Sequence, residues 1–291
     1  MNTVAPMPAA AEALSERQRE ALISLLADDD HAVYQTVRAK LLSFGQPARG
    51  WLRPHILSSD PALRRRAQEV AHCLARQDTD ERFSEFCRRR GEGLDLEEGA
   101  WLLAQTQYPE VNVEAYRALL DSYAGELRDL TDPASHPEAT LLAINQHLFQ
   151  RLGFRGNQQN YGDPDNSFLN RVLDQRLGNP ISLCTVYLMI GRRLGLPLTG
   201  IGLPGHFVCR YQSSTYEVYI DCFNQGRFLT KTECMKFIVQ SGHCLKEGHL
   251  VPLSARRMIL RMCANLHHTY HHHEFNEEAA RFQKYLAALQ K

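Results

Sequence analysis

Apolar residues recur at three- and four-residue steps through most of the 291-residue chain, which is the signature of amphipathic helices. From Leu14 to about Arg90 the pattern is helical throughout, with Leu22, Leu25 and Leu26 followed by Val33, Val37, Leu41 and Leu42. Two segments, DDDHAVYQTVRAKLLSFG and SSDPALRRRAQEVAHCLAR, each place an acidic cap before a helix. Their aspartates Asp30 and Asp60 lie about thirty residues apart, the spacing of stacked HEAT-like helical hairpins. Asp95-Leu96-Glu97-Glu98 predicts another helix start, Pro109 ends that helix, and Val113–Leu130 forms the next. Thr131-Asp132-Pro133 and His136-Pro137 mark a loop, after which Leu141–Leu152 is helical.

The pattern changes in the middle of the chain. Gly153 to Ser167 is rich in Gly, Asn, Asp and Pro, residues that favour turns and bond locally to backbone. Asn166 to Arg210 reads as a helix, a restart at Gly178-Asn179-Pro180, a largely apolar second helix and a strand carrying His206. Asn179 suits an N-cap and Pro180 the first helical position. Gly205–Tyr211 and Thr215–Phe223 are strand-like, the second alternating Tyr216, Val218 and Ile220 against Glu217, Tyr219 and Asp221. Arg227–Thr230 adds a short apolar piece, and Thr232–Gln240 is helical. The last segment is a helical hairpin: Met258, Met262, Leu266 and Tyr270 share one face, a turn follows at 273–276, and Ala279, Ala280, Phe282, Leu286 and Leu289 pack back. Leu266, Tyr270 and Ala279 stand where a tetratricopeptide (TPR) unit places its packing residues, and one such unit must dock on the rest of the protein.

Charge changes this picture little. Lysines and arginines equal aspartates and glutamates at 33 each, against a dedicated nucleic-acid binder. The runs Arg64–Arg66 and Arg88–Arg90 read as solvated helix faces. The Ala/Pro-rich residues 1–13 read as a flexible terminus, without the basic flank and apolar core of a secretory signal. No apolar run approaches the roughly 20 residues that span a bilayer. The expectation is a cytoplasmic protein with reduced thiols and no membrane partner, in which Cys73, Cys184 and Cys263 serve as small buried hydrophobes.

Three groups of residues bear chemistry. His206 starts one strand and Asp221 ends the next, so adjacent antiparallel strands in the right register let the carboxylate orient the imidazole. Cys184, one turn beyond Pro180, is the nearest thiol to the helix start, yet about 6 Å along the axis from it. A cysteine nucleophile needs a base within about 3 Å and a depressed pKa. The histidines 267, 268, 271, 272 and 273 include i, i+4 pairs that suit a metal in vitro, but no glutamate stands where zinc hydrolysis needs one. Cys222, Cys234, His243, Cys244 and His249 lack paired Cys-x-x-Cys spacing, so no metal site is expected. With no phosphate-binding or dinucleotide glycine loop, no cofactor is expected either.

The pieces GFRGNQQNYGDPDNSFLNRVLDQRLGNPISL, RRLGLPLTGIGLPGHFVCR and YIDCFNQGRFLT resemble the SirB-type transglutaminase-like family, from about Asp95 to the C-terminus. The resemblance implies an α+β fold: a papain/transglutaminase-like core with a small antiparallel sheet, an α-helical HEAT-like region before it and a TPR-like hairpin after it. The divisions it suggests are 1–13, 14–92, 93–250 and 251–291. It puts His206 and Asp221 at the family's histidine and aspartate positions. Active transglutaminases carry their cysteine at the helix start, and counting back from Gly195 puts that position at Pro180, as in the Gly-x-Pro-Ile-Ser/Thr-Leu reading of the SirB-type branch. Two functions therefore stay open. One is a degenerate core that binds a protein or peptide partner, with Asn166, Asn179, Gly205 and Asn224 around its groove. The other is a Cys-His-Asp acyl transferase or peptidase built from Cys184, His206 and Asp221. The absent helix-start thiol favours the first. The oligomeric state is not legible.

Overall fold

The computed structural model describes residues 14–89, 91, 93–130, 136–245 and 248–290. The expected flexible stretch 1–13 and most of the expected loop at 131–137 lie outside them. The described chain is mostly helical and divides into two compact units, one running to Arg82 with Thr106–Glu110, the other comprising Phe83–Gln105 and everything from Val111.

Helices α1 (Glu16–Ser24), α2 (His31–Phe44) and α3 (Gln46–Leu52) precede the long α4 (Pro61–Arg88). The two aspartates do cap: Asp30 Oδ1 accepts from Ala32 N at 2.8 Å, and Asp60 Oδ1 from Ala62 N at 2.8 Å. Ile23, Leu26, Val37, Leu41, Leu52, Val70 and Leu74 form the core of the first unit.

The second unit carries α5 (Leu96–Gln107) as far as Gln105, then α6 (Val113–Leu130), α7 (Pro137–Asn145), β1 (Arg155–Gly156), α8 (Leu169–Gln175), β2 (Leu177–Gly178) and α9 (Pro180–Arg193). Asp95 caps α5 by accepting from Glu98 N at 2.8 Å. Past α7 the chain continues as a π-helical turn, Gln146–Arg151, rather than as the single α-helix expected to Leu152. Every residue of α9 from Pro180 to Gly191 is buried, so this helix is the axis on which the unit is assembled.

Strands β3 (Leu198–Leu203), β4 (His206–Gln212), β5 (Glu217–Asp221) and β6 (Arg227–Leu229) form one antiparallel meander in that order. The sequence pattern missed β3, because Thr199-Gly200-Ile201-Gly202 lacks the alternation of larger side chains that identifies a strand. It also missed the two-residue parallel pair β1–β2. Register pairs Leu203 with His206, Ile201 with Val208 and Arg210 with Tyr219. Side chains alternate along a strand, so Val208, Ile201, Leu203 and Tyr219 share one face, which packs on Ile238 and Cys234 of α10 (Lys231–Gln240). Phe207, Cys209 and Ile220 belong to the other face, and Cys209 meets α9 there.

The hairpin is α11 (Ala255–His272) and α12 (Asn276–Leu289). Met258, Met262, Leu266 and Tyr270 are buried as expected, and Ala279, Phe282, Leu286 and Leu289 pack back. Ala280 is exposed instead, and Tyr285, one and a half turns on, takes a place in the core.

Candidate functional site

The two-residue turn Pro204-Gly205 delivers His206 to the start of β4, with Gly205 exposed at a positive φ of 67°. Asp221 ends β5 on the same face of the sheet. Its carboxylate Oδ2 accepts from His206 Nε2 at 2.9 Å and from Asn224 Nδ2 at 2.8 Å, and Oδ1 accepts from Asn224 N at 3.2 Å. Asp221 is only 5% exposed, and burial raises its pKa. The bonds from His206 and Asn224 outweigh that effect and hold the carboxyl below its ordinary value. A carboxylate on Nε2 makes that nitrogen the donor and turns Nδ1 away from Asp221. Nδ1 bonds to no described residue. The imidazole is wedged between Phe223 and Phe237, with centroids 6.1 and 5.4 Å away. Arg261 of α11 supports the turn from behind, donating to the carbonyls of Leu203 and His206 at 2.6 Å each.

The start of α9 is a closed hydrogen-bond knot. Asn179 caps it: its Oδ1 accepts from Ser182 N at 3.0 Å, and Ser182 Oγ accepts from Asn179 N at 3.0 Å. Asn179 Nδ2 donates to Ser167 Oγ at 2.8 Å. Asn166, 1% exposed, ties the preceding loop to this knot: its Oδ1 accepts from Asn157 Nδ2, its Nδ2 donates to the carbonyls of Asn160 and Tyr161, and its own carbonyl accepts from Ser182 Oγ at 2.6 Å. Asn166 is thus enclosed, with its amide fully used. The first helical position is Pro180, which offers neither thiol nor hydroxyl.

Cys184 is fully buried, and its sulfur reaches the carbonyl of Phe207 at 3.6 Å from the α9 side of the sheet. By strand alternation, the side chains of His206 and Asp221 leave the sheet on the α10 side. The structure brings His206, Asp221 and Asn224 together, and joins Cys184 instead to Cys209 and Cys222. The three sulfurs lie within 4.8 Å of one another, all buried. Burial pushes the thiols of Cys184 and Cys222 well up. Burial raises Cys209 too, but bonds from its two neighbours draw it down to about 6.

Two cavities flank the site. One of about 460 Å³ is lined by Tyr161, Ser167 and Asn179 and, from α11, by Asn265, His268, Thr269 and His272. The other, about 420 Å³, is lined by Arg155, Asn157, Phe223, Asn224 and Gln225, and Gln159 borders both. Thus Asn179 and Asn224 face separate cavities. The histidine-rich helix end, read from the sequence only for its i, i+4 spacing, is a cavity wall: His268, His272 and His273 line it, and His273 Nε2 donates to the Gly162 carbonyl at 3.0 Å. His267 is used elsewhere, bonded through Nδ1 to the Ala279 carbonyl at 3.0 Å. Among the described residues, no group of three metal-capable side chains includes a histidine. Only the flanking loop composition hinted at the cavities, since the walls of each come from segments far apart in the chain.

Residues 114–264 match the family model described as the transglutaminase-like superfamily. The chain belongs to that superfamily. A UPF0162 protein of Xylella fastidiosa (strain 9a5c) is 36% identical over 197 residues, 65% of this chain and 70% of that protein. A UPF0162 protein of Vibrio cholerae is 28% identical over 170 residues, 58% of this chain and 60% of its own. F-box only protein 21 of Mus musculus is 34% identical over 132 residues, which are 43% of this chain and 21% of that protein. No solved structure matches the chain. No described helix is long and apolar enough to cross a membrane.

Proposed function

We propose that this transglutaminase-like core is catalytically degenerate and serves as a binding module for a peptide segment of a protein partner. The observation that carries the reading is Pro180 at the first position of α9, where the fold would present a nucleophile, with the nearest thiol, Cys184, sealed on the opposite face of the sheet from His206. The cavity between Tyr161, Asn179 and His268 then receives the partner's side chains, while the His206–Asp221 pair anchors Asn224 in the wall of the second cavity. The mouse relative supports a module, since the matching segment is about a fifth of a much longer chain. We read residues 14–92 as a HEAT-like region, 93–250 as the core and 251–291 as a TPR-like hairpin, on the SirB-type plan, in a cytoplasmic protein. The intact His206–Asp221 pair favours one second reading, Cys184-dependent acyl transfer.

Two measurements on the native full chain separate these. Peptides selected from a displayed random library should bind the wild type, keep binding to Cys184→Ser, and be lost on Asn265→Trp, which fills the cavity. Alkylation followed by mass spectrometry across pH should label exposed Cys244 readily and leave Cys184 unlabelled at neutral pH, with no change in His206→Ala. A Cys184 that alkylates near pH 7 only when His206 is present would overturn the binding reading in favour of catalysis.

A further inference from the structure

The three buried cysteines carry an inference independent of the His206 site. Cys184 comes from the second turn of α9, Cys209 from the middle of β4 and Cys222 from the residue after β5, so helix and sheet aim three thiols at one point. Cys209 and Cys222 sulfurs are 3.9 Å apart, and all three lie within 4.8 Å of one another at 0% exposure. Metal–thiolate bonds of about 2.3 Å place sulfurs about 3.8–4.0 Å apart around a shared ion. The trio therefore needs adjustments of under about 1 Å to close on one.

A second feature concerns charge. Arg261 has no carboxylate within ion-pair distance among the described residues. Its guanidinium instead caps the carbonyls of Leu203 and His206 and lies 5.5 Å from the Phe207 ring centroid. The Phe207 carbonyl is the one that Cys184 touches. A half-buried cation without an acidic partner thus reaches from α11 to His206 and Phe207 of β4, beside a set of thiols that would become anionic on binding metal.

We propose that Cys184, Cys209 and Cys222 form a structural site for one thiophilic metal ion, monovalent copper by preference. Three sulfur ligands in a dry pocket match the three-coordinate geometry and soft-ligand preference of Cu(I). Zn(II) wants a fourth ligand, and no further His, Cys, Asp or Glu joins the trio among the described residues. Binding releases up to three thiol protons to solvent, and Arg261 offsets part of the resulting charge. The ion would pin α9 to β4 and to the chain leaving β5, and it acts on structure rather than on substrate.

The test uses the full-length protein, isolated without oxygen from cells supplied with copper or with zinc, and the same protein stripped and then titrated with Cu(I) or Zn(II) alone against a chromophoric chelator. The expected result is one copper per chain. X-ray absorption should show three sulfur neighbours at about 2.3 Å and no nitrogen. Cys184→Ser, Cys209→Ser and Cys222→Ser should each weaken binding by about a hundredfold or more. Cys244→Ser and the double variant His268→Ala/His272→Ala should leave it unchanged. The wild-type spectrum decides the question even where a serine variant fails to fold. No bound ion, or an ion in a nitrogen shell that is lost with the histidines, would overturn the site. Zinc held more tightly than copper would overturn the copper preference.

Discussion

Removing the Asp221 carboxylate should cost more than removing the imidazole it holds, and the difference can be worked from the structure. Asp221 accepts from three donors: His206 Nε2, Asn224 Nδ2 and Asn224 N. In Asp221→Ala all three lose their acceptor in a site that is 5% exposed in the wild type. Leaving a buried donor without an acceptor costs about 1–3 kcal/mol, so three such donors together cost about 3–5 kcal/mol once some reach water. In His206→Ala the carboxylate keeps both Asn224 donors, so the loss is one charge-assisted bond and some packing against Phe223 and Phe237, about 1.5–3 kcal/mol. Because the pair is in direct contact, the double variant should show a coupling of about 1–3 kcal/mol. The assay is urea unfolding at pH 7 read by fluorescence in a Trp51→Phe background, where the other tryptophan, buried Trp101, reports on the unit that holds the site. Additivity within about 0.5 kcal/mol, or a larger loss from His206→Ala than from Asp221→Ala, would refute the view of Asp221 as the hub.

Two further outcomes follow from the same geometry. Gly205 and Gly226 both have positive φ, but a methyl on Gly205 meets open space whereas one on Gly226 would sit 2.5 Å from the Asn145 side chain and 2.6 Å from Phe149. Gly205→Ala should cost about 1–2 kcal/mol of backbone strain. Gly226→Ala should add about 1–3 kcal/mol of overpacking and lower the Tm several degrees further, and equal melting temperatures would contradict the close contact. Asp95 is raised by its partial burial, but the bonds from Glu98 N and Arg192 prevail and hold its carboxyl below the ordinary value. Its stabilisation is therefore full above the unfolded-state pKa of about 3.9 and is lost as pH falls through the lower folded value. Asp95→Asn should flatten that part of the acid limb of the stability profile, and an unchanged slope would show that Asp95 is not its source.

Elements whose cause is local were legible in the chain. Asp30, Asp60, Asp95 and Asn179 stand at helix starts because a short side-chain acceptor next to free backbone N–H groups works within three residues. The faces of α11 and α12 were legible because a 3.6-residue period is a property of one helix, although packing left Ala280 exposed and buried Tyr285 in addition. Strand β3 was not legible, since two glycines erase the alternation and its strand character comes from pairing with β4. The histidines of α11 carried no sign that they wall a cavity, because the opposite wall is the loop at 159–163.

Local pattern in the chain placed the capped helix starts, put His206 and Asp221 on successive strand-like segments, and showed that the helix start holds Pro180 rather than a thiol. Which side of the sheet each of these faces was set by long-range packing. A one-residue step along a strand reverses a side chain, so Asp221 and Cys222, neighbours in the chain, serve different environments: the first joins His206 and Asn224, the second joins Cys184 and Cys209. That division depends on the register of β4 against β5 and on the packing of α9 against one face, contacts between residues far apart in the chain. No local pattern encodes them.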